Sequence, residues 1–153
     1  MNQSPNSGTP IIIGSDHAGW ELKEEVRQYL AGKGFAVKDV SEPKYNPQDD
    51  YPTYAFRVAK KVSSGEFEQG IAVCGTGIGA SIAANRVRGA RAALCLTPEM
   101  GRTAKRHNNA NVLVLGGRIT QPQEAFMIID AWMSAKFEGG RHLKRVQQLD
   151  TLE

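Results

Sequence analysis

GIAVCGTGIGASIAAN, residues 70–85, is the stretch that predicts the architecture of this chain. A short apolar run ending at Cys74 is typical of a buried strand, three glycines at alternate positions predict a tight turn, and residues 80–85 open a helix. Glycine lets a backbone approach a ligand closely, and the unpaired amides at a helix start favour negative charge. Cys74 stands beside those amides, where a thiolate is favoured over a thiol. The stretch therefore predicts an anion cradle with a candidate nucleophile or base at its edge.

Size and composition predict one soluble globular domain. The chain has 153 residues, of which 41% are hydrophobic and 23% charged, and its net charge is +3. Basic and acidic residues are interspersed, which gives no support to a nucleic-acid partner. No apolar run reaches the roughly 18 residues of a membrane span, and no signal-peptide core is present. Cys74 and Cys95 lack the spacing of a disulfide framework. We therefore expect a cytoplasmic protein without a nucleic-acid or membrane partner.

Apolar runs alternate with helical patterns along the chain. Strands are predicted at residues 10–14, 35–40, 70–74, 92–96 and 112–115, with helices between them that include residues 53–64 and 121–137, and a last helix at 141–152. We expect residues 1–9 to be a disordered tail, and residues 41–52, with three prolines, to be a loop that can reach over a site. The alternation predicts one domain over residues 10–153, with an α/β fold of Rossmann-like type. We expect an open parallel sheet of about five strands with helices on both faces.

Polar residues follow several of the predicted strands, where open parallel sheets bind their ligands. They are Asp16 and His17 after the first strand, Tyr51 at the end of the long loop, Cys74 with its glycines after the third strand, and Arg118 after the fifth. We expect these separate pieces of chain to converge on one edge of the sheet.

One alternative interpretation of the glycine turn is a dinucleotide fingerprint. Residues 75–80 fit the pattern G-x-G-x-x-G/A, and Glu99 lies after the next strand, where a ribose-binding acid could stand. The fingerprint normally opens a domain at its first strand, whereas this turn follows the third. The match is weak, and it stays open as a minor alternative.

Three other kinds of site are disfavoured by residues that the chain lacks. A P-loop needs a lysine followed by serine or threonine after the last glycine, and none follows Gly79. A cysteine phosphatase needs an arginine to close the loop, where Ala80 and Ser81 stand. The histidines and cysteines show no paired spacing for zinc, so we expect no metal.

Five motifs, in order, resemble the type B ribose-5-phosphate isomerases. They are GSDHAG at 14–19, DYP at 50–52, CGTGIG at 74–79 with SIAAN at 81–85, HNNANV at 107–112, and EGGRH at 138–142. The resemblance implies an open parallel sheet, a homodimer or homotetramer whose active sites draw on both subunits, and no cofactor. It also implies interconversion of D-ribose 5-phosphate and D-ribulose 5-phosphate in the pentose phosphate pathway. Some members have serine at the cysteine position and a glutamate four residues later, so Cys74 and Ile78 resemble the cysteine branch.

The reaction so implied assigns the turn a chemical task. Cys74 is the hypothetical base that moves a proton from C2 to C1, because the aldose and ketose differ by that transfer. The backbone amides of the turn would hold the oxygens of the cis-enediolate, where negative charge develops; they belong to Gly75, Gly77, Ile78 and Gly79. Thr76 could bridge the two oxygens through its hydroxyl.

The remaining motifs would bind the sugar and its phosphate. The resemblance points to His107 for opening the furanose ring, a task that suits a group titrating near neutral pH. It points to Asp16 and Asn108 for the sugar hydroxyls and to Tyr51 as a lining residue. Arg141 and Arg145 lie four residues apart, hence on one helix face, and would clamp the phosphate with help from Arg118 and His17.

Several alternatives stay open on the sequence alone. The substrate could be a six-carbon aldose phosphate such as allose or galactose 6-phosphate, and the chain could be a non-catalytic phosphosugar-binding domain. Asp16 could cap the first helix, and capping does not exclude sugar binding. Cys95, His142 and Trp132 are interpreted as structural residues.

Overall fold

All five predicted strands pair in parallel in a computed structural model that describes residues 8–152. They are β1 (Pro10–Ser15), β2 (Ala36–Asp39), β3 (Gly70–Cys74), β4 (Ala92–Leu94) and β5 (Val112–Gly116). Their order in the sheet is β2-β1-β3-β5-β4. The chain moves outward from β1 to β2 and then returns to the other side of β1, so a topological switch point lies between β1 and β3. In open α/β sheets ligands bind in the crevice at that point.

Residues 8–152 form six α-helices, of which the first five cover the two faces of this sheet and the last packs against the fourth. They are α1 (Trp20–Gly32), α2 (Tyr51–Ser63), α3 (Ile78–Asn85), α4 (Pro98–Asn108), α5 (Pro122–Ser134) and α6 (Arg141–Thr151). Side chains along β1 point alternately to the two faces of the sheet. Ile11 and Ile13 therefore pack in the core beneath α1, α4 and α5, whereas Ile12 packs in the core beneath α2 and α3. Each face buries its own apolar cluster, as a parallel sheet requires. The predicted fold class is therefore confirmed.

Several predicted boundaries were wrong by a few residues. The helix after the long loop begins at Tyr51 rather than at residue 53, because Pro52 is compatible with the first helical turn. Strand β4 ends at Leu94 rather than at residue 96. Helix α5 ends at Ser134 rather than at residue 137, because Ala135 is extended and the chain turns toward α4.

The predicted disordered tail is also too long. The amide of Gly8 donates to the carbonyl of Gly34, and the carbonyl of Thr9 accepts from the amide of Ala36, so both residues are tied to the segment around β2. The rest of that predicted tail, residues 1–7, lies outside the described residues. Within residues 8–152, no helix is both long enough and apolar enough to cross a membrane.

We predict that Gly101→Ala destabilises the protein by ~1–3 kcal/mol, the usual cost of overpacking a close contact. A Cβ atom at Gly101, in α4, would lie 2.8 Å from the carbonyl oxygen of Ile128 in α5. Gly32→Ala, at the end of α1, is the control, because a Cβ atom there meets nothing within 4 Å. Urea unfolding of both variants tests the prediction, and equal stabilities would contradict it.

Candidate active site

The segments that follow β1, β3 and β5 lie side by side at the carboxyl edge of the sheet. Ser15 is in register with Val73, and Cys74 with Gly116, so the strand ends are level. Beyond them, the amide of Gly117 donates to the carbonyl of Cys74 at 2.7 Å, and the amide of Arg118 donates to that of Gly75 at 2.8 Å. The structure thus brings together the pieces of chain that the sequence predicts at this edge.

The glycine turn holds Cys74 at its base. Gly77 adopts a left-handed conformation with φ of 81°, and its amide donates to Cys74 Sγ at 3.2 Å. The amide of Ile78 donates to Thr76 Oγ1 at 3.2 Å. Two amides of the predicted cradle are therefore engaged within the turn itself, and would have to exchange partners to bind an oxyanion.

Cys74 lies at the boundary between the core and this turn. Its side chain is only 4% exposed and packs with the apolar cluster beneath α2 and α3, which includes Ala80 and Val114. The amide of Gly77 nevertheless reaches its sulfur, so Sγ is in contact with a polar group of the turn. A thiol at this position is shielded from bulk water and also touches the cradle.

Two side chains lie directly on the glycines of the turn. A Cβ atom at Gly79 would lie 2.4 Å from Tyr51 Cζ, and one at Gly75 would lie 3.1 Å from Arg118 Nη1. The missing side chains of these glycines therefore make room for Tyr51 and Arg118. Both residues belong to the predicted site, and the structure places both beside the Cys74 turn.

Asp16 and His17 occupy the 3-10 turn after β1. Asp16 is buried, and its Oδ1 accepts the amide of Gly19 at 3.0 Å, so it caps that turn. Burial raises the pKa of the Asp16 carboxyl above its ordinary value, although the Gly19 amide opposes this. Asp16 therefore caps the 3-10 turn His17–Gly19 and not α1, whose N-cap is Gly19, so the capping interpretation is right only for the turn before the helix. Its second carboxylate oxygen leaves capacity for another donor.

Asp49 is a site residue that the sequence did not single out. Its Oδ1 accepts the backbone amide of His17 at 2.9 Å and lies 2.9 Å from His17 Nδ1. Burial opposes its ionisation, yet hydrogen bonds from His17 and Tyr54 hold the pKa of Asp49 below its ordinary value. The sequence signal for Asp49 was only its place just before DYP, in a loop that was expected to reach over the site.

Four predicted site residues, which were not among those expected at the carboxyl edge, lie at the opposite edge of the sheet. They are His107, Asn108, Arg141 and Arg145. Helix α4 ends just before β5 begins, and the carbonyl of Asn111 accepts the amide of Gly70 at the start of β3. The five residues of β3 put ~13 Å between its two ends.

This second group is organised around Glu138. The rings of His107 and His142 are stacked with their centroids 4.2 Å apart, and Glu138 lies 3.8 Å from one Nε2 and 3.9 Å from the other. Arg106 donates to Glu138 at 2.7 Å, and burial and the charge of His107 lower the pKa of the largely buried His142. The sequence motif contained Glu138, but its spacing alone did not indicate this role.

Two groups of three residues have ligand atoms close enough together to be considered as metal sites. Within residues 8–152, ligand atoms of His107, Glu138 and His142 lie within 4.8 Å of one another, as do those of Asp16, His17 and Asp49. In the first group Arg106 already engages the carboxylate, and the rings are within 11° of parallel, so their planes do not meet at one ion. In the second group Asp49 is bonded to His17. The expected absence of a metal stays a prediction.

Comparison with known proteins gives consistent matches along nearly the whole chain. The family described as Ribose/Galactose Isomerase matches residues 11–149. Ribose-5-phosphate isomerase B of Escherichia coli (strain K12) is 43% identical over 143 residues, which cover 94% of this chain and 95% of that protein.

Solved structures match the fold equally well. A ribose 5-phosphate isomerase from Thermotoga maritima is 51% identical, with a TM-score of 0.91 over 94% of this chain and 99% of its own. Ribose-5-phosphate isomerase B from Mycoplasma genitalium, with bound ribulose-5-phosphate, is 41% identical, with a TM-score of 0.88 over 92% of this chain and 93% of its own.

We predict that Gly77→Ala destabilises the protein more than Gly65→Ala does. Both glycines have positive φ, 81° and 85°, so both substitutions carry the left-handed strain of ~1–2 kcal/mol. Only at Gly77 would the new Cβ also collide, 2.5 Å from Leu94 Cδ1, whereas nothing lies within 4 Å at Gly65. Urea unfolding of both variants measures the two losses of stability. Equal losses would contradict the prediction, because they would show that the turn accommodates the added Cβ atom.

Proposed function

This chain belongs to the Ribose/Galactose Isomerase family, and on that basis we propose that it interconverts D-ribose 5-phosphate and D-ribulose 5-phosphate. It is an aldose-ketose isomerase, and this reaction would place it in the pentose phosphate pathway. One observation carries the proposal for this chain: Cys74 Sγ lies under a turn amide beside the β1/β3 switch point. Cys74 and Cys95 are both free thiols, which is consistent with action in a reducing cytoplasm.

Cys74 would act as the base of the reaction. Its thiolate takes the proton from C2 of the open-chain aldose, and the electron pair of that C–H bond forms the C1–C2 double bond of a cis-enediolate. The thiol then returns the proton to C1, while the proton on O2 moves to O1 and leaves a carbonyl at C2. Turn amides and the Thr76 hydroxyl would stabilise the enediolate oxygens. The near-complete burial of Cys74 would limit competing proton exchange with water.

A single chain supplies only half of the proposed site. Asp16, His17, Tyr51, Cys74 and Arg118 lie at the carboxyl edge, whereas the ring-opening histidine and the phosphate clamp lie at the amino edge. We therefore propose a homodimer in which the partner's His107, the partner's Asn108, the partner's Arg141 and the partner's Arg145 complete each cradle. A homotetramer built from two such dimers is consistent with the resemblance.

Exposed apolar side chains next to the cradle support this assembly. Ile78 and Ile82 on α3 are 57% and 62% exposed, and Leu96, which lies just before α4, and Met100, in its first turn, are each 42% exposed. These residues flank β4, which is an edge strand of the sheet. Exposed apolar side chains beside the edge strand of a sheet are suited to burial against a second copy.

Each proposed binding residue has a chemical reason for its place. The partner's His107, next to the partner's Glu138, would move the proton between the ring oxygen and the anomeric hydroxyl. Asp16 and the partner's Asn108 would bind sugar hydroxyls, and Tyr51 would line the site. Four cationic or ionisable groups would surround the phosphate; they are His17 and Arg118 of one subunit, with the partner's Arg141 and the partner's Arg145.

We predict that Cys74→Ala lowers kcat for ribose 5-phosphate by ~100-fold or more, because it removes the general base. Cys95→Ala is the matched control, since burial raises the pKa of that thiol to about 11 and keeps it protonated at neutral pH. The assay follows formation of the ketose by purified protein without added metal. Unchanged turnover in Cys74→Ala would remove Cys74 as the base.

We also predict that two inactive variants restore one another when their subunits are mixed. In a random mixture of Cys74→Ala and His107→Asn, half of the dimers are mixed and each has one intact site, so activity recovers to about a quarter of the wild-type value. The control mixes Cys74→Ala with the Cys74→Ala/His107→Asn double variant, which cannot form an intact site. No recovery in purified mixed dimers would show that each site uses one chain only.

A further inference from the structure

The carboxylate of Asp49 contacts both the backbone and the ring of His17. Its Oδ1 lies 2.9 Å from both the backbone nitrogen and Nδ1 of His17, and the buried Tyr54 hydroxyl donates to the same carboxylate. The Asp49 side chain is only 7% exposed, although it lies in the loop between β2 and α2. Tyr45, from the same loop, meets the His17 ring edge-on at 6.4 Å.

We propose that Asp49 is a positioning residue that accepts the Nδ1–H of His17 and so fixes the orientation of the ring, with Nε2 directed at the phosphate. This inference rests on the proposed function, which assigns His17 to the phosphate. An ionised carboxylate can only accept hydrogen bonds, so the neighbouring Nδ1 must carry its proton. A phosphate only accepts hydrogen bonds, so the ring that binds it carries a proton on each nitrogen, with Nδ1–H donating to Asp49 and Nε2–H donating to the phosphate. Without Asp49, the imidazole could rotate or exchange tautomers before each binding event.

The surroundings of His17 agree with an anion subsite on this side of the ring. His17, Gly117 and Arg118 line a cavity of about 470 Å³ outside the strand ends. Arg118 also reaches Gly75, so the cavity adjoins the Cys74 turn. A phosphate at this position would meet one guanidinium and one imidazole nitrogen of the same chain. Glu21 at the cavity rim would oppose an anion, which makes a correctly presented Nε2–H more important.

Asp49 differs from a simple loop anchor in how its effect depends on His17. If Asp49 only anchored the loop, its removal would weaken phosphate binding through loop stability. That loss of binding would then add to the loss caused by removing His17. A positioning residue acts only through the ring, so its effect should vanish once the ring is gone. Non-additivity of the two substitutions is therefore the distinguishing measurement.

The experiment compares Asp49→Asn, His17→Gln and the double variant. We expect Asp49→Asn to weaken competitive inhibition by inorganic phosphate and to raise KM for ribose 5-phosphate, each by about tenfold, with a smaller change in kcat. The double variant should bind phosphate no more weakly than His17→Gln. Glu42→Gln is the control, because it removes one charge from the same loop without a contact to His17.

A spectroscopic measurement keeps the proposal testable if Asp49→Asn fails to fold. Long-range 1H–15N spectra of the wild-type protein at pH 8 should show His17 protonated at Nδ1. A ring protonated only at Nε2, or unchanged phosphate inhibition in Asp49→Asn, or fully additive losses in the double variant, would overturn the inference. Wild-type protein that binds inorganic phosphate but does not isomerise ribose 5-phosphate would overturn the proposed function instead.

Discussion

Direct contact between backbones at the ends of three strands is the constraint on which the site depends. A Cβ atom at Gly19 would lie 2.6 Å from the carbonyl oxygen of Val73, and one at Gly116 would lie 2.6 Å from that of Thr76. At Gly117 the corresponding distance is 2.7 Å, to the carbonyl of Ala18. The loops after β1, β3 and β5 can touch only because these residues have no side chain. That contact sets the depth of the cradle and carries His17, Cys74 and Arg118 to one place.

The two edges of the sheet hold different halves of the proposed chemistry. The carboxyl edge provides a shielded sulfur, turn amides and the guanidinium of Arg118. The amino edge provides an ionisable pair, His107 and His142, held by Glu138, and this group ties the ends of α4 and α6 together. Among the described residues, several polar groups of each half have partners within the chain, whereas the buried Ser15 Oγ and His142 Nε2 have no hydrogen-bond partner.

The cradle is less open than a sequence motif suggests. A turn with three glycines predicts free amides, yet the amides of Gly77 and Ile78 are satisfied by Cys74 Sγ and Thr76 Oγ1. Gly77 is buried, where an amide without a partner would be costly, and Cys74 Sγ provides that partner within the turn. Both acceptors belong to residues with proposed roles in the reaction. Substrate binding would therefore rearrange hydrogen bonds around the base and the bridging hydroxyl together.

The sequence by itself determined the fold class, the strand count and which residues follow each strand. Hydrophobic periodicity, glycine turns and the alternation of strands with helices are local signals, so a sequence carries them directly. It also sufficed for the glycine turn and Cys74, since one contiguous stretch carries both. Only the tertiary structure decided that His107 and Arg141 lie at the far edge from Cys74, because strand order and helix direction set that distance. The same holds for Asp49 and Glu138: their partners are 32 residues away in the chain, and hydrogen bonds between distant segments leave no periodic trace in a sequence.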